Sequence, residues 1–190
     1  MDGKGEAFRT FEACEGHPVT AIAHSPNGDR FIVATKSWQP RVYSRDAQLI
    51  ITFVRGDGFI RDLTHTKGHT NEVTCVLWHP TLADHVVTAS LDGSVRIWDL
   101  KGEAIFGNLI NKHVLKVRST SDGRRVGARC CAAAPGAQFM VGGATDGSIH
   151  VWLEKKAYSR TADFVVNTAH GDGKSMSAVA VQAVVLNSGN

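Results

Sequence analysis

Apolar and polar side chains follow a repeating pattern along the chain, and the pattern is clearest in the segment 68–100. The run 73–78 (VTCVLW) is apolar and rich in β-branched residues, and the run 86–90 (VVTAS) has a similar character. The run 94–98 (SVRIW) alternates polar and apolar residues, as strands do. The dipeptide Asp92-Gly93 before it is typical of a tight hairpin turn. The segment therefore predicts three consecutive antiparallel strands.

The three-run pattern occurs once before and once after this segment. Turn prolines and the aromatic residues of the third run recur at steps of about 54 residues: Pro26, Pro80 and Pro135, and Tyr43, Trp98 and Trp152. A further apolar run follows each third run and predicts a fourth, outer strand, at 48–54, 102–109 and 163–166. The chain is thus predicted to be a series of similar four-stranded sheets.

The central unit opens with Gly68-His69 and closes with Trp98-Asp99, which resembles the WD repeat of β-propeller proteins. The resemblance implies an all-β fold whose sheets are the blades of a propeller. It also implies a structural network of four side chains, in which an imidazole joins an acid to a hydroxyl and the hydroxyl meets an indole N–H. The four positions are His69, Thr88, Asp92 and Trp98. The competing interpretation is a hydroxyl-histidine-acid catalytic site, but the sequence contains no G-x-S-x-G motif to support it.

The other repeats depart from this network. In the first repeat, Val33 stands at the hydroxyl position, Ser37 at the acid position and Tyr43 at the indole position. In the third repeat, Gly142 replaces the hydroxyl and no Gly-His pair precedes the first strand. We expect five parts: 1–15 as the outer strand of a preceding blade, 16–67 as a degenerate repeat with its connection, 68–128 as a repeat with a basic insertion, 129–168 as a repeat, and 169–190 as the start of another.

The pattern thus predicts about three blades and the first strand of a fourth, an incomplete propeller. Closed propellers have about four to eight blades. An open arc exposes apolar faces and strand edges. We therefore expect a piece of a longer protein or a partial gene model, with the pairing of two chains into one ring as the alternative.

Composition indicates a globular chain without a dominant charge. Hydrophobic residues make up 43% of the chain, charged residues 21%, and the formal net charge is +3. No apolar run is long enough for a membrane span, and the first residues lack the apolar core of a secretory signal. The four cysteines, at positions 14, 75, 130 and 131, lack zinc-type spacing, so we expect a reduced compartment.

The segment 111–129 is strongly basic, with Asp122 as its single acid. Such a segment can bind phosphates or an acidic partner, and nucleic-acid binding through it is the alternative function. It lacks the aromatic residues that stack on bases, and a solvated loop is the competing interpretation. Its cations are Lys112, Lys116, Arg118, Arg124, Arg125 and Arg129.

Among propeller proteins, the sequence resembles the WD repeat-containing protein 70, or gastrulation-defective, family. The resemblance lies in 28–31 (GDRF), in 56–62 (GDGFIRD), in 66–70 (TKGHT), in 78–80 (WHP) and in 147–149 (GSI). It implies a nuclear, non-catalytic protein-interaction scaffold, with cytoplasm as the alternative location. Relatives are linked to chromatin, DNA-damage and RNA-processing assemblies. We expect no cofactor, no membrane contact and no small-molecule substrate.

The same resemblance implies two candidate binding features. Loops on one face of a propeller usually bind partners, and the matching positions are Thr70, Glu72 and Leu91, with Lys36 and Thr145 as equivalents of Leu91. The ending Trp98-Asp99-Leu100-Lys101 is also similar to the Trp-Asp-x-Arg/Lys ending through which some WD proteins join cullin-type ubiquitin ligases. A solvated lysine after a strand is the competing interpretation of that ending.

Motifs for catalysis or metal binding do not emerge from the sequence. His65 and His69 are four residues apart and His79 and His85 lie nearby, but neither pair belongs to a HExxH motif or accompanies a cysteine pair. The glycine-rich segment 142–147 precedes a predicted strand, whereas a phosphate cradle needs a helix N-terminus. We therefore expect no metal site and no enzyme.

Overall fold

The computed structural model describes residues 10–155 and 158–167, which contain fourteen β-strands and no helix. The strands form three sheets, so the predicted all-β fold of propeller blades is confirmed. The innermost strands of the three sheets lie side by side. The sheets do not close into a ring, as expected for an incomplete propeller.

Each blade is a four-stranded antiparallel meander. The first blade has β1 (Val19–His24), β2 (Arg30–Thr35), β3 (Arg41–Ser44) and β4 (Leu49–Phe53). The central blade has β5 (Val73–Trp78), β6 (His85–Ser90) and β7 (Ser94–Asp99); two short strands, β8 (Ala104–Ile105) and β9 (Asn108–Leu109), follow, and β10 (His113–Lys116) is its outer strand. The third blade has β11 (Ala128–Ala133), β12 (Phe139–Ala144), β13 (Ile149–Leu153) and β14 (Phe164–Val166).

Both faces of the central blade are buried, because a blade packs on each side of it. Successive side chains of a strand point to opposite faces. Val86 and Trp98 therefore belong to the core shared with the first blade, whereas their neighbours Val87 and Ile97 belong to the core shared with the third. At 25 cal/mol per Å² of apolar surface, each such large side chain contributes about 1.5–3 kcal/mol to folding.

Side-chain hydroxyls connect successive blades at equivalent positions of their inner strands. The Thr20 hydroxyl donates to the Val73 carbonyl at 2.7 Å, and the Thr74 hydroxyl donates to the Ala128 carbonyl at 2.8 Å. The third blade has Arg129 at this position, and its side chain is exposed. The repeated bond fixes the spacing of the inner strands, so the relative placement of the blades is part of the sequence pattern.

The prediction that 102–109 forms the outer strand of the central blade is wrong. This segment forms the hairpin β8–β9, and β9 runs parallel to β4 and extends the first blade instead. The Val54 N–H donates to the Leu109 carbonyl at 2.8 Å, and Leu109 is buried beside Phe53. The segments 104–109 and 113–116 are both short and contain apolar residues, so either could be the outer strand of the central blade. What distinguishes them is that 108–109 pairs with the open edge of β4.

The outer strand of the central blade is β10, which lies inside the basic segment. The interpretation of 111–129 as a solvated loop is therefore wrong for its first part, where Val114 and Leu115 are buried. At the start of the chain, the outer strand predicted within 1–15 falls mostly outside the described residues, and residues 10–15 are not in a strand. The predicted repeat start at 169–190 also lies outside the described residues.

Candidate functional site

The four predicted network residues of the central blade are joined in one buried chain of hydrogen bonds. The Trp98 indole N–H donates to the Thr88 hydroxyl at 2.8 Å, and that oxygen lies 2.6 Å from Nε2 of His69. Nδ1 of His69 lies 2.9 Å from a carboxylate oxygen of Asp92. The tautomer with its proton on Nδ1 satisfies both contacts, since the ring then donates to the acid and accepts from the hydroxyl.

Electrostatics favour a neutral histidine and an ionised acid in this network. Burial lowers the pKa of His69, and the adjacent Asp92 carboxylate offsets only part of that effect. Burial acts to raise the pKa of Asp92, but the contacts with His69, with Arg96 and with the Ser94 hydroxyl hold it well below its usual range. The network thus carries a carboxylate whose negative charge is balanced inside the blade.

The cation that balances Asp92 is Arg96, a role that the repeat pattern of the sequence does not reveal. Its guanidinium is fully buried, and one nitrogen lies 3.7 Å from the carboxylate. It donates to the carbonyl and hydroxyl of Thr66 at 3.0 and 2.6 Å and to the side-chain carbonyl of Asn111 at 2.6 Å. Burial lowers the pKa of Arg96 to about 10, which leaves it protonated at neutral pH. Arg96 therefore anchors the connection between the first two blades to the network.

The Asp92 carboxylate also accepts bonds from the surrounding turn. The main-chain N–H groups of Thr70 and Ser94 donate to it at 3.1 and 2.9 Å, and the Ser94 hydroxyl donates at 2.6 Å. The acid therefore orders both loops at the end of the blade where β6 joins β7. Because Thr88 and His69 are fully buried, no substrate reaches the hydroxyl, and the arrangement supports a structural role.

The other two blades depart from the network in different ways. In the third blade, Trp152 is buried and its indole N–H has no partner among the described residues, since Gly142 supplies no hydroxyl. A side chain at position 142 would begin 3.1 Å from the Trp152 ring, so glycine lets the ring pack against the backbone. In the first blade, His17 is exposed, and the Tyr43 hydroxyl donates instead to the Ala13 carbonyl at 3.0 Å.

Comparison with protein families agrees with this architecture. The family model described as WD domain, G-beta repeat matches residues 5–61, 60–99 and 111–152. The chain belongs to the WD-repeat family. WD-repeat proteins generally act as non-catalytic scaffolds that mediate contacts between proteins.

Full-length relatives of this WD-repeat chain carry the names that the sequence resemblance indicated. The chain is 35% identical to WD repeat-containing protein 70 of Xenopus tropicalis over 179 residues, which cover 94% of the chain and 28% of the relative. It is 32% identical to the Drosophila melanogaster gastrulation defective protein 1 homolog over 181 residues, covering 94% and 26%. It is 30% identical to the human WD repeat-containing protein 70 over 179 residues, which cover 94% of the chain and 26% of the relative. The chain spans about a quarter of the length of these relatives.

The residues that the family pattern places on the binding face lie at the same end of the three blades, which we call the upper face. It is the end where β2 joins β3, β6 joins β7 and β12 joins β13. Equivalent main-chain bonds hold it: the N–H groups of Lys36, Leu91 and Thr145 donate to the carbonyls of residues 18, 72 and 127 at 2.9–3.0 Å. Thr70 and Glu72 lie beside them, before β5. Lys36 is exposed, and the other four are half-buried.

The six cations of the basic segment are not gathered into one patch. Lys112 pairs with Asp99 at 3.0 Å and Lys116 with Asp62 at 2.9 Å, both on or next to the outer strand of the central blade. Three arginines, Arg118, Arg124 and Arg125, belong to the hairpin that follows, where Arg124 pairs with Asp122 at 3.2 Å. Arg129 lies on the inner strand of the third blade. The first two positive charges are therefore already balanced by carboxylates.

The predicted ligase-adaptor ending is partly buried. Trp98 belongs to the internal network, and Asp99 pairs with Lys112 and lies 3.5 Å from His85. The Lys101 side chain is 78% exposed, and its ammonium group pairs with Asp84 at 2.6 Å. Of the three side chains, Lys101 is thus the one presented most fully to solvent.

The positions of possible metal-binding side chains can be compared with the expectation of no metal site. Within residues 10–155 and 158–167, no three His, Cys, Asp or Glu side chains are close enough together to hold a metal ion. The described part of the chain also contains no helix that is long and apolar enough to cross a membrane.

Proposed function

We propose that this chain is part of a non-catalytic scaffold of the nucleus that binds other proteins through the upper face of its blades. The observation that carries the proposal is the equivalent, main-chain-supported placement of Lys36, Leu91 and Thr145 at one end of three adjoining blades. Loops held on a rigid base lose little conformational freedom when a partner binds. The buried network of the central blade supplies that base.

The upper face also has mixed chemistry that suits a protein partner. It combines the apolar side chain of Leu91, the carboxylate of Glu72 and the exposed cation of Lys36. Protein interfaces combine apolar contacts with a polar, charged rim. The inner-strand residues Thr20, Thr74 and Arg129 line a polar cavity of about 300 Å³ next to Glu72, which extends this surface toward the propeller axis.

A pair of matched substitutions tests the proposal. Leu91→Lys changes the upper face, whereas Leu82→Lys makes the same change in the exposed loop at the opposite end of the central blade. Each variant is used as bait in nuclear extract beside the unchanged chain. We expect Leu91→Lys to lose captured proteins that Leu82→Lys retains, while circular dichroism shows both variants folded. Equal capture by all three baits would refute binding through the upper face.

Complexes of chromatin, DNA damage or RNA processing are the nuclear setting that we propose for the scaffold. Recruitment of a cullin-type ubiquitin ligase through the ending Trp98-Asp99-Leu100-Lys101, with Lys101 as its exposed contact and the buried Trp98 as its internal anchor, is a further part of the proposal, supported by the exposure of Lys101. Lys101→Glu tests that part, because loss of cullin subunits from the captured set, with other partners retained, is the expected result. Retention of cullin subunits by Lys101→Glu would contradict it.

A further inference from the structure

The first blade has an open cleft where the central blade has its buried network. The cleft has a volume of about 320 Å³ and lies at the upper face, where β2 joins β3. We call it the Trp38 cleft; among the residues that line it are His17, Lys36, Ser37, Trp38, Gln39 and Arg55. His17 is exposed here, whereas the equivalent His69 is sealed inside its blade. The degenerate repeat thus replaces an internal network with a surface cavity.

Trp38 and Arg55 form the ordered base of this cleft. The Arg55 guanidinium carbon lies 4.1 Å from the centre of the Trp38 ring, a cation–π contact. The Ser37 hydroxyl accepts from Thr35 at 2.8 Å, and the Gln39 amide donates to the Phe53 carbonyl at 3.1 Å, so the loop that carries Trp38 is held on both sides.

Arg55 is held in place by its neighbour Gly56. The Gly56 N–H donates to the His69 carbonyl at 2.8 Å, and a side chain at position 56 would begin only 2.1 Å from the Gly68 carbonyl oxygen. Such close backbone packing joins the end of the first blade to the start of the central one. The position of Arg55 is therefore set by the junction of two blades and not by a free loop.

The Trp38 cleft has a positive charge that no described residue neutralises. Lys36 and Arg55 both line it and are exposed, and neither forms an ion pair with any residue that the structure describes. None of the described lining residues is acidic. The Glu12 carboxylate, which precedes the cleft residue His17 in the chain, accepts from the Gly16 N–H at 3.2 Å, within its own turn. The cleft thus has two cations available for an anionic ligand.

From this geometry we propose that the Trp38 cleft binds the phosphate of a phosphorylated serine or threonine in a partner protein. The proposal rests on the proposed function, because it names the partner chemistry of the same upper face. A phosphate monoester carries nearly two negative charges on one compact group, so it contacts Lys36 and Arg55 at once. The Trp38 ring covers one face of the guanidinium and leaves its N–H edge available for paired hydrogen bonds to phosphate oxygens.

The chemistry of the cleft favours a phosphorylated protein segment over a nucleic acid. Binding of single strands uses several aromatic side chains with free faces, on which successive bases stack. Trp38 is the only tryptophan, tyrosine or phenylalanine among the described lining residues, and Arg55 lies over its ring. A cavity lined by two cations suits one phosphate group, whereas a nucleic-acid backbone needs a longer row of cations.

Tryptophan fluorescence provides a direct test on the 190-residue chain. The chain has four tryptophans, and Trp78, Trp98 and Trp152 are buried, so quenching by neutral acrylamide reports mainly on Trp38. The probe is an alanine pentapeptide with a central phosphoserine, beside the same peptide with serine and a uridine oligonucleotide. We expect the phosphopeptide to protect Trp38 from quenching, and Trp38→Phe to remove the signal.

Two variants that each remove one positive charge, together with one control variant, decide whether the Trp38 cleft is the phosphopeptide-binding site. Lys36→Gln and Arg55→Gln each lose a charge-assisted contact, so each is expected to weaken phosphopeptide binding about tenfold. Arg45→Gln removes an exposed arginine at the opposite end of the first blade and is expected to bind unchanged. Unaltered binding by Lys36→Gln, which changes an exposed side chain and leaves the fold intact, overturns the proposal.

The remaining outcomes also decide the matter. Equal protection by the unphosphorylated peptide, protection by neither peptide, or stronger protection by the oligonucleotide each overturns phosphate-peptide binding. The capture experiment separates this failure from a failure of the proposed function. If Leu91→Lys still loses captured proteins while the phosphopeptide has no effect, the scaffold proposal stands and only the assignment of the Trp38 cleft is wrong.

Discussion

Replacing Asp92 by alanine should destabilise the protein more than almost any other change of one polar residue. The Asp92 carboxylate accepts bonds from the His69 ring, from the main-chain N–H of Thr70 and from the N–H and hydroxyl of Ser94. It is also the negative group nearest the buried guanidinium of Arg96, at 3.7 Å. Alanine leaves these donors and one buried positive charge without a partner.

The expected magnitude follows from the buried charge. Removing one partner of a buried ion pair costs about 3–5 kcal/mol, and an orphaned neutral donor costs about 1–3 kcal/mol. These costs overlap, because water that enters the vacated space solvates several groups together. We therefore expect Asp92→Ala to lower the free energy of unfolding by about 3–5 kcal/mol, which lowers the melting temperature by roughly 10 °C in a domain of this size.

The third blade supplies a matched control for this substitution. Asp146 occupies the position equivalent to Asp92, but it is half-buried, and its bonds come from the N–H and hydroxyl of Ser148. Asp146→Ala is therefore expected to cost only about 1 kcal/mol. Urea unfolding followed by circular dichroism measures both variants. Equal losses for the two, or a loss below about 1 kcal/mol for Asp92→Ala, would refute the account of the network.

Three further predictions concern stability. Trp98→Phe should cost about 1 kcal/mol more than Trp152→Phe in urea unfolding, because only the Trp98 indole N–H has a partner to lose; equal costs would contradict this. Gly68→Ala should prevent stable folding, since its side chain would begin 1.9 Å from a carbonyl oxygen of the first blade, whereas Gly58→Ala, in open space, should keep the melting temperature. Buried histidines such as His69 have a pKa below the ordinary value of 6.5, so in acid the unfolded chain binds more protons than the folded chain. The free energy of unfolding should therefore be at its full value above pH 6.5 and decline as the pH falls below 6.5. An unfolding midpoint in urea that stays constant from about pH 7 to pH 5 would argue against this.

The sequence could predict the blades because their pattern is local. Runs with strand character, the Asp92-Gly93 turn and the regular step between repeats all follow from neighbouring residues. The pairing of the outer strands depends on distant parts of the chain, and there the prediction was wrong at 102–109. The runs at 104–109 and 113–116 both suit an edge strand, and the choice is decided by the edge of β4, which accepts the first of them.

Arg96 could not be recognised from the same pattern for a different reason. Alternation in 94–98 places Ser94, Arg96 and Trp98 on one face of the strand, and a polar face is ordinarily taken to be solvated. Here that face is covered by the connection that includes Leu63 and Thr66, both buried. A long connection with no strand pattern of its own gives no signal that it will cover a blade. The sequence therefore shows an arginine in the strand, but it does not show that the connection around Thr66 covers and binds this arginine.

The three blades show how one fold can assign different roles to equivalent positions. The central blade satisfies its polar groups internally, so its His69 and Trp98 are unavailable to ligands. The first blade has lost the acid and the hydroxyl of the network, its histidine, His17, is exposed, and His17 and Ser37 line the cleft around Trp38. A repeat that no longer uses these residues for stability is free to use them for binding. In a chain of repeats, the degenerate copy is therefore the place to search for the partner, while the well-preserved copy shows what holds the propeller together.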